Sequence, residues 1–299
     1  MNENTFLENL KDIPFIFEAQ LSFFTTYHVG GEAEVLALPE TENQIKQIIS
    51  FTQKKRVPFR VLGLGSNILV SDLGLRGITC CLKNFKGVKI EANKITANAG
   101  TALDEVVRAS INAGLGGLEN LSGIPGSVGG AVFMNAGAFK AETFDKLFSF
   151  KVLTMDGEIK ELKKEEVKYA YRKVWGLENC VILSAAWELD KQNKEDLMAR
   201  RKEILQSRKA KQPLDYPSAG SVFKRPVGAY ASKLIDDCGL RGLTVGGAQV
   251  STKHAGFIIN YENATAQDIY DLIKEVQKIV KKKTGFELEP EQIFWGKFE

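Results

Sequence analysis

The sequence predicts an α+β fold with more than one domain, and three observations lead to this prediction. The chain has 299 residues, and a length of about 150 residues per domain favours two domains. Strand-like and helix-like segments alternate over the first 115 residues, and a compact mixed unit of about 85 residues closes the chain. Hydrophobic residues are 44% and charged residues 26% of the chain, as in ordinary globular proteins.

The helices of the first 115 residues are predicted from capping boxes that precede apolar faces. Thr41 and Gln44 form such a box in the helix predicted at 39–52. Thr101 and Asp104 form another, and the helix that follows them ends at Gly114. Short β-type runs broken by glycines predict strands at 60–62, 68–70, 78–82 and 94–99.

The middle of the chain is predicted to hold a hairpin and a basic helix. Asp156-Gly157 lies between β-type runs at 148–154 and 158–162, which is a hairpin signal. Residues 191–211 contain eight basic and three acidic side chains. They predict a solvent-exposed helix that carries the chain out of one domain. The alternative interpretation is that the basic side chains contact an anionic ligand.

The last third is predicted to be a compact α/β unit. Residues 242–259 contain β-type runs. Thr265 and Asp268 form a capping box for a closing helix, which carries one apolar stripe and ends at Gly285.

Glycines are concentrated between Gly63 and Gly137, where 14 of the 27 in the chain occur. Glycine costs conformational entropy on folding, so tight turns or close approach to a ligand must explain the concentration. The run 61–72 reads as strand, turn and strand, without the pattern of a dinucleotide-binding or Walker loop. Its backbone N–H groups could bind a phosphate, and an ordinary hairpin turn is the alternative. The candidate residues are Gly63, Gly65, Ser66, Asn67 and Ile68.

A second glycine-rich run, from residue 122 to 138, has little charge and leaves its backbone uncovered. Such a surface suits a flat apolar cofactor with a diphosphate tail. The candidate residues here are Ser122, Gly123, Ile124, Pro125, Gly126, Gly129, Gly130, Asn135 and Gly137.

Candidate catalytic side chains lie outside the glycine-rich quarter. Arg172 follows an aromatic pair and could bind a carboxylate through its guanidinium fork, although a surface ion pair would use the same residue. Ser221 follows a glycine turn and could donate a proton, or simply cap the turn. Glu291 lies in an acidic segment that could equally be a solvated edge, and His254 is a lone histidine.

Several protein classes are excluded or disfavoured. The net charge of +3 does not indicate nucleic-acid binding. Two histidines and four cysteines without a CxxC motif predict neither a metal site nor a disulfide framework. The first 18 residues lack the features of a signal peptide, and no apolar run is long enough for a membrane span. We therefore expect a cytoplasmic protein.

Taken together and in order, these motifs resemble the UDP-N-acetylenolpyruvoylglucosamine reductase (UDP-N-acetylmuramate dehydrogenase) family, in its more compact subtype. The resemblance runs from TTYHVGG at residue 25 to Gly296. It includes LGLGSN, GIPGSVGGAVFMNAGAF, YAYR, PSAGSVFK, GLTVGGAQVSTKHAGF and LEPE.

The resemblance implies a fold and its bounds. The fold is an FAD-binding module of the vanillyl-alcohol-oxidase type in two lobes, followed by a substrate-binding domain. Its expected parts are a first FAD lobe with an N-terminal extension at 1–82, a second FAD lobe at 83–210 and the substrate-binding domain at 211–299.

The resemblance also implies a reaction in peptidoglycan synthesis. NADPH reduces a non-covalently bound FAD, whose glycine-rich contacts are those named above. The hydride then passes to C3 of UDP-N-acetylglucosamine enolpyruvate. Ser221 donates the proton to C2, while Arg172 and Glu291 stabilise the enolate. Substrate contacts are expected at Tyr171, Lys224, Arg225 and His254, the partner is a small UDP-sugar, and the expected assembly is a monomer.

Four positions depart from the usual family pattern: His28, Val174, Arg225 and Gly256. Two other hypotheses stay open. One is a different oxidoreductase of the same flavin fold, and the other is a non-catalytic UDP-sugar-binding protein, for which substitutions such as Arg225 and Gly256 are the only hint.

Overall fold

The structure, a computed structural model, describes residues 10–299. Residues 1–9, on which half of the signal-peptide interpretation rests, lie outside the described residues. The fold has two compact units. Among the described residues, unit 1 comprises 10–17, Val35–Leu64 and Gly77–Ser207, and unit 2 comprises Glu18–Glu34, Gly65–Arg76 and Arg208–Glu299. The predicted bounds 1–82, 83–210 and 211–299 stay a prediction.

Both helices and strands are well represented, which confirms the α+β prediction. The helices are α1 (Glu42–Lys55), α2 (Leu103–Asn112), α3 (Val128–Phe133), α4 (Lys194–Lys211), α5 (Ala231–Asp237) and α6 (Ala266–Thr284). Short 3₁₀ helices cover Leu21–Phe24, Leu82–Asn84, Glu119–Leu121 and Lys164–Glu166. The strands are β1 (Phe15–Gln20), β2 (Glu32–Ala37), β3 (Phe59–Leu62), β4 (Ile68–Val70), β5 (Leu75–Cys81), β6 (Val88–Glu91), β7 (Lys94–Asn98), β8 (Leu115–Gly116), β9 (Gly137–Ala138), β10 (Ala141–Glu142), β11 (Leu147–Thr154), β12 (Ile159–Lys163), β13 (Tyr169–Ala170), β14 (Lys173–Val174), β15 (Cys180–Glu188), β16 (Asp190–Lys191), β17 (Thr244–Val245), β18 (Ala248–Val250), β19 (Ile258–Asn260) and β20 (Ile293–Trp295).

Unit 1 is built on a five-stranded antiparallel sheet with the order β12-β11-β15-β7-β6. The predicted hairpin at Asp156-Gly157 joins β11 to β12 and is confirmed. Helix α3 packs against β15. Trp187 of β15 is fully buried, and its indole N–H donates to the carbonyl of Thr143 at 3.1 Å. This bond removes the cost of burying the polar end of the ring.

The two capping boxes predicted in unit 1 have different outcomes. The Thr41 hydroxyl accepts the N–H of Gln44 and caps α1, as predicted, while the Gln44 side chain accepts from Glu40 instead. The box of Thr101 and Asp104 is wrong, because α2 has Ala102 at its N-cap and no side-chain cap. The Asp104 carboxylate instead accepts hydrogen bonds from groups distant in sequence.

Unit 2 contains two small sheets and the closing helix. Strands β17, β18 and β19 pair antiparallel, and β4 pairs with β20 in parallel, with Ile68 opposite Ile293. The capping box of Thr265 and Asp268 is confirmed, and Gly285 ends α6 at a φ of 79°. The apolar stripe of α6 is buried in the core of this unit: Ile269, Leu272, Ile273, Val276 and Val280.

Within residues 10–299, no helix is long and apolar enough to cross a membrane. Over the same range, no group of three or more His, Cys, Asp or Glu side chains could hold a metal ion.

The apolar stripe of α6 leads to a stability prediction. Leu272→Ala removes a side chain that is 0% exposed, so the unfolding free energy should fall by about 2–5 kcal/mol. Lys282→Ala, on the exposed face of the same helix, is the control and should change it by less than about 0.5 kcal/mol. Urea denaturation followed by circular dichroism measures both variants, and equal midpoints would contradict the assigned burial.

Candidate active site

The two predicted glycine-rich loops meet in unit 1 at Gly63 and Ser127. A Cβ atom added to Gly63 would lie 2.3 Å from the Oγ of Ser127, so a larger residue there would require this hydroxyl or the strand end to shift. That hydroxyl already accepts a hydrogen bond from the N–H of Gly130 at 3.2 Å, and it caps α3. The structure therefore brings Gly63 next to the second predicted cofactor loop.

Most backbone N–H groups of the loop from residue 122 to 130 are used within the protein. The acceptors are the carbonyls of Glu119, Leu121, Thr101 and Ala99, the Asp104 carboxylate and the Ser127 hydroxyl. Among residues 10–299, no acceptor is found for the N–H groups of Gly126 and Ser127. Two neighbouring N–H donors without a protein acceptor fit an anionic group such as a phosphate. The loop thus fits the diphosphate of the expected cofactor.

The predicted residues Gly65, Ser66, Asn67 and Ile68 belong to unit 2. Gly65 has a φ of 65°, and a Cβ atom there would lie 2.1 Å from the carbonyl oxygen of Phe24. The side-chain amide of Asn67 donates to the carbonyl of Glu291 at 3.1 Å. Asn67 therefore positions the Glu291 segment, and a cofactor contact by this residue stays a prediction.

Tyr171 and Arg172 form the turn between β13 and β14, where Arg172 has a φ of 55°. The guanidinium donates to the carbonyl of Gly137 at 2.5 Å and to that of Asn135 at 3.3 Å. It lies 4.7 Å from the centroid of the Tyr171 ring. Only 14% of the Arg172 side chain is exposed, and the two hydrogen bonds anchor it to the glycine-rich run.

Asn135 is fully buried, and its side chain is occupied by protein partners. Its amide donates to the carboxylate of Glu142 at 2.7 Å and to the carbonyl of Ala170 at 3.2 Å, and it accepts the N–H of Phe144 at 3.1 Å. This network ties β10 to the Arg172 hairpin. The predicted cofactor contact of Asn135 remains untested.

Strained backbone is concentrated around Arg172. Asn135, Phe139, Lys140 and Arg172 all adopt left-handed φ values, between 42° and 63°. Such a conformation costs a non-glycine residue about 1–2 kcal/mol. Strained residues occur most often at functional sites, where surrounding contacts hold them in place. This cluster therefore supports a functional role for the two hairpins β9–β10 and β13–β14.

In unit 2, Ser221 and Glu291 lie on neighbouring backbone segments. Val222, which follows Ser221, joins the two segments, because its carbonyl accepts the N–H of Glu291 at 2.8 Å. The N–H of Val222 donates to the carbonyl of Gly256 at 2.9 Å. Ser221 itself is exposed. It follows Gly220, which has a φ of 75°. The structure thus brings together two predicted catalytic residues that are far apart in the sequence.

Three predicted substrate contacts also lie in unit 2. Lys224 forms an ion pair with Glu289, and its N–H donates to the carbonyl of the same residue. The Arg225 guanidinium lies 4.5 Å from the centroid of the Tyr230 ring, a cation–π contact. Both cations are therefore held close to the segment that carries Ser221.

The third predicted contact, His254, is half-buried against Phe257, with ring centroids 4.9 Å apart. Its Nδ1 accepts the N–H of Gly256 at 3.1 Å. Burial lowers the pKa of His254 below its usual value, and the charge of Arg241 lowers it further. A Cβ atom at Gly256 would lie 3.0 Å from the imidazole, so a larger residue there would require the His254 ring to shift.

Sequence reasoning missed a buried pair that supports Glu291. The amide of Gln292 donates to the hydroxyl of Tyr27 and to the carbonyl of Ala219. Burial raises the pKa of Tyr27, so its hydroxyl stays protonated at neutral pH. Tyr27 and Gln292 are 265 positions apart, and no local pattern could have linked them.

Comparison with known proteins adds family evidence. Residues 212–295 match the family profile described as the C-terminal domain of UDP-N-acetylenolpyruvoylglucosamine reductase. Residues 33–163 match the profile of an FAD binding domain. The fold class implied by the sequence resemblance is therefore confirmed.

Individual relatives resemble almost the whole chain. The UDP-N-acetylenolpyruvoylglucosamine reductase of Caldanaerobacter subterraneus subsp. tengcongensis is 43% identical, covering 95% of this chain and 94% of the relative. That of Enterococcus faecalis is 42% identical, covering 97% of each. The crystal structure of the Thermus caldophilus enzyme matches with a TM-score of 0.82 and 35% identity, over 95% of this chain and 99% of that one.

The lowered pKa of His254 leads to a pH prediction. An unfolded histidine titrates near pH 6.5, and the folded ring has a lower pKa, so protons favour the unfolded state. The stabilising contribution is present above about pH 6.5 and is lost as the pH falls through the folded pKa. Urea unfolding at pH 7.5 and pH 5 should show this loss in the wild type.

His254→Asn keeps an acceptor for the Gly256 N–H but removes the titrating ring, so the loss should be smaller. His28→Asn is the matched control, because His28 is exposed and Asn tolerates its φ of 56°. An unchanged pH dependence in His254→Asn would contradict the assignment.

Proposed function

Since this chain belongs to the UDP-N-acetylenolpyruvoylglucosamine reductase family, we propose that it reduces UDP-N-acetylglucosamine enolpyruvate to UDP-N-acetylmuramate with NADPH. The observation that carries the proposal is the identity of 42–43% to family members over 95–97% of the chain. The chain is thus an FAD-dependent oxidoreductase of peptidoglycan synthesis, and its substrate is a small UDP-sugar.

FAD bound to this chain would supply the hydride-transfer chemistry between NADPH and C3 of the enolpyruvyl group. We assign its contacts to the two glycine-rich loops. The approach of Gly63 to Ser127 and the available N–H groups of Gly126 and Ser127 support this assignment. Residues 1–82 and 83–210 would form the FAD lobes and 211–299 the substrate domain, in keeping with the family matches at 33–163 and 212–295.

Ser221 is the proposed proton donor to C2 of the substrate. A hydroxyl can donate in this way if it is exposed and held in place. Ser221 meets both conditions, because it is exposed and its segment is hydrogen-bonded through Val222 on both sides.

Arg172 and Glu291 are the proposed stabilisers of the negative charge that develops on the substrate enolate. Two loop carbonyls hold the Arg172 guanidinium in advance, so little reorganisation accompanies the reaction. Glu291 would act through a hydrogen bond from its protonated form. Tyr171, Lys224, Arg225 and His254 are the proposed substrate contacts. We also propose that the protein is a cytoplasmic monomer. The reducing cytoplasm would keep its four free cysteines reduced.

The assay of the proposed activity is direct. The purified protein should be yellow, and it should oxidise NADPH only when UDP-N-acetylglucosamine enolpyruvate is supplied. A protein that binds FAD without this turnover would overturn the proposal. Rapid reoxidation of the reduced protein by air, with no sugar present, would favour an oxidase instead.

The role of Ser221 leads to a prediction of its own. Ser221→Ala should lower substrate-dependent NADPH oxidation by about 10²–10⁴-fold, because the proton donor is lost. Bleaching of the flavin absorbance by NADPH alone should persist. Ser218→Ala, in the same segment, is the control and should keep wild-type turnover. Equal turnover in the Ser221 variant would exclude the residue as the donor.

A further inference from the structure

A carboxylate holds the second glycine-rich loop from within unit 1. The Oδ1 atom of Asp104 accepts the backbone N–H of Gly123 at 2.7 Å. Gly123 has a φ of 71°, which glycine adopts readily. The hydrogen bond therefore selects one orientation for the peptide between Ser122 and Gly123, where the backbone could otherwise rotate.

Arg201 of α4 holds that carboxylate in turn. Its two terminal nitrogens donate to the two Asp104 oxygens at 2.6 and 2.8 Å, a two-pronged ion pair. The Arg201 side chain is 18% exposed and that of Asp104 30%. The preceding residue, Arg200, donates to the side chain of Asn120 at 2.9 Å. Two consecutive arginines of the basic helix thus contact the 3₁₀ helix before the loop and the carboxylate that anchors the loop.

We propose that Asp104 and Arg201 are positioning residues for FAD binding, with Asp104 orienting the loop at Gly123 and Arg201 cancelling the charge of that carboxylate. The inference rests on the proposed function, since it takes the loop from residue 122 to 130 as the site of the FAD diphosphate. It assigns a role to the basic segment at 191–211.

Electrostatics explains why both residues are needed. An uncompensated carboxylate directly bonded to the loop would repel an incoming diphosphate. Paired with Arg201, the same carboxylate keeps its hydrogen bond to Gly123 and adds no net charge. Arg201 also holds the side chain of Asp104 in place, because a guanidinium binds both oxygens in a fixed geometry.

A structural role and a positioning role give different results. The pair of Arg201 and Asp104 is two-pronged and mostly buried, a geometry in which an ion pair does stabilise the fold, so its loss should lower the melting temperature under either role. Loss of loop orientation should in addition weaken FAD binding. The decisive quantity is the dissociation constant of FAD, measured by titrating the apoprotein and following flavin fluorescence at a temperature where all variants are folded.

Arg201→Gln should raise the FAD dissociation constant about tenfold, the effect of losing a hydrogen-bonded charge partner. Arg108→Gln is the matched control. It removes a charge 3.7 Å from the same carboxylate, but this side chain is 61% exposed and contacts only one oxygen closely. Its FAD dissociation constant should stay within about twofold of the wild type.

A second substitution tests the charge argument. In Arg201→Gln, the added change Asp104→Asn removes the uncompensated charge and keeps an oxygen that can accept from Gly123. The double variant should therefore bind FAD more tightly than Arg201→Gln alone, a non-additive effect expected of coupled residues. If Arg201→Gln does not fold, Arg201→Lys serves instead. It keeps the charge without the two-pronged geometry and should still weaken FAD binding.

The outcomes are distinguishable. A wild-type protein that binds FAD, with Arg201 variants of the same affinity and lower melting temperatures, would overturn this inference and leave the proposed function intact. A double variant that binds FAD no more tightly than Arg201→Gln would overturn the charge argument. A folded wild-type protein that does not bind FAD would overturn the proposed function together with this inference.

Discussion

The close approach of Gly63 to Ser127 is the constraint on which the candidate cofactor region of unit 1 depends. The Ser127 hydroxyl would lie 2.3 Å from any Cβ atom at position 63. The same hydroxyl caps α3 through Gly130. A larger residue at 63 would therefore either displace the β3 end or release the helix cap. The absence of a side chain at Gly63 thus allows the end of β3 to lie against the start of α3, and it lets Gly63 lie next to the second glycine-rich loop.

The concentration of glycines has two physical causes that the sequence could not separate. Part of it serves close backbone packing, as at Gly63 and Gly65, where a Cβ atom would collide with neighbouring atoms. The other part is the loop from residue 122 to 130, which we propose to contact FAD. The backbone hydrogen bonds distinguish its donors, because within the described chain the N–H groups of Gly126 and Ser127 find no protein acceptor. This loop is therefore a tightly bonded turn with two neighbouring N–H groups that remain available for the proposed contact.

Sequence patterns predicted the elements that depend on local contacts. The cap at Thr41 and the box of Thr265 and Asp268 were predicted correctly, because each joins residues three positions apart. The same pattern was misleading at Thr101 and Asp104. There, Arg201, 97 positions away, binds the Asp104 carboxylate together with Gly123. A long-range charged partner replaced a local cap, and single-sequence spacing holds no signal for it.

In the candidate site, too, local motifs were predictable from the sequence and long-range contacts were not. Motifs identified Ser221 and Glu291 as candidates, but their placement on neighbouring segments depends on backbone pairing through Val222. The link from Asn67 to the carbonyl of Glu291 spans 224 positions. The Val222 pairing uses only backbone atoms, and the Asn67 amide bonds to a backbone carbonyl, a group that every residue has. Such contacts leave almost no trace in residue identity, so a sequence alone cannot reveal them.

This use of backbone atoms also explains how the chain tolerates its departures from the family pattern. Gly256 positions the Ser221 segment through its carbonyl and holds His254 through its N–H, so its residue type matters mainly for the space that a Cβ atom would occupy. Val174 is buried in the core of unit 1, where an apolar side chain is favourable. Arg225 is exposed and stacks on Tyr230. Gly256 has no side chain, and within the described residues the side chains of Val174 and Arg225 supply no hydrogen bond that holds a proposed catalytic residue, so these positions can vary while the backbone frame of the site is kept.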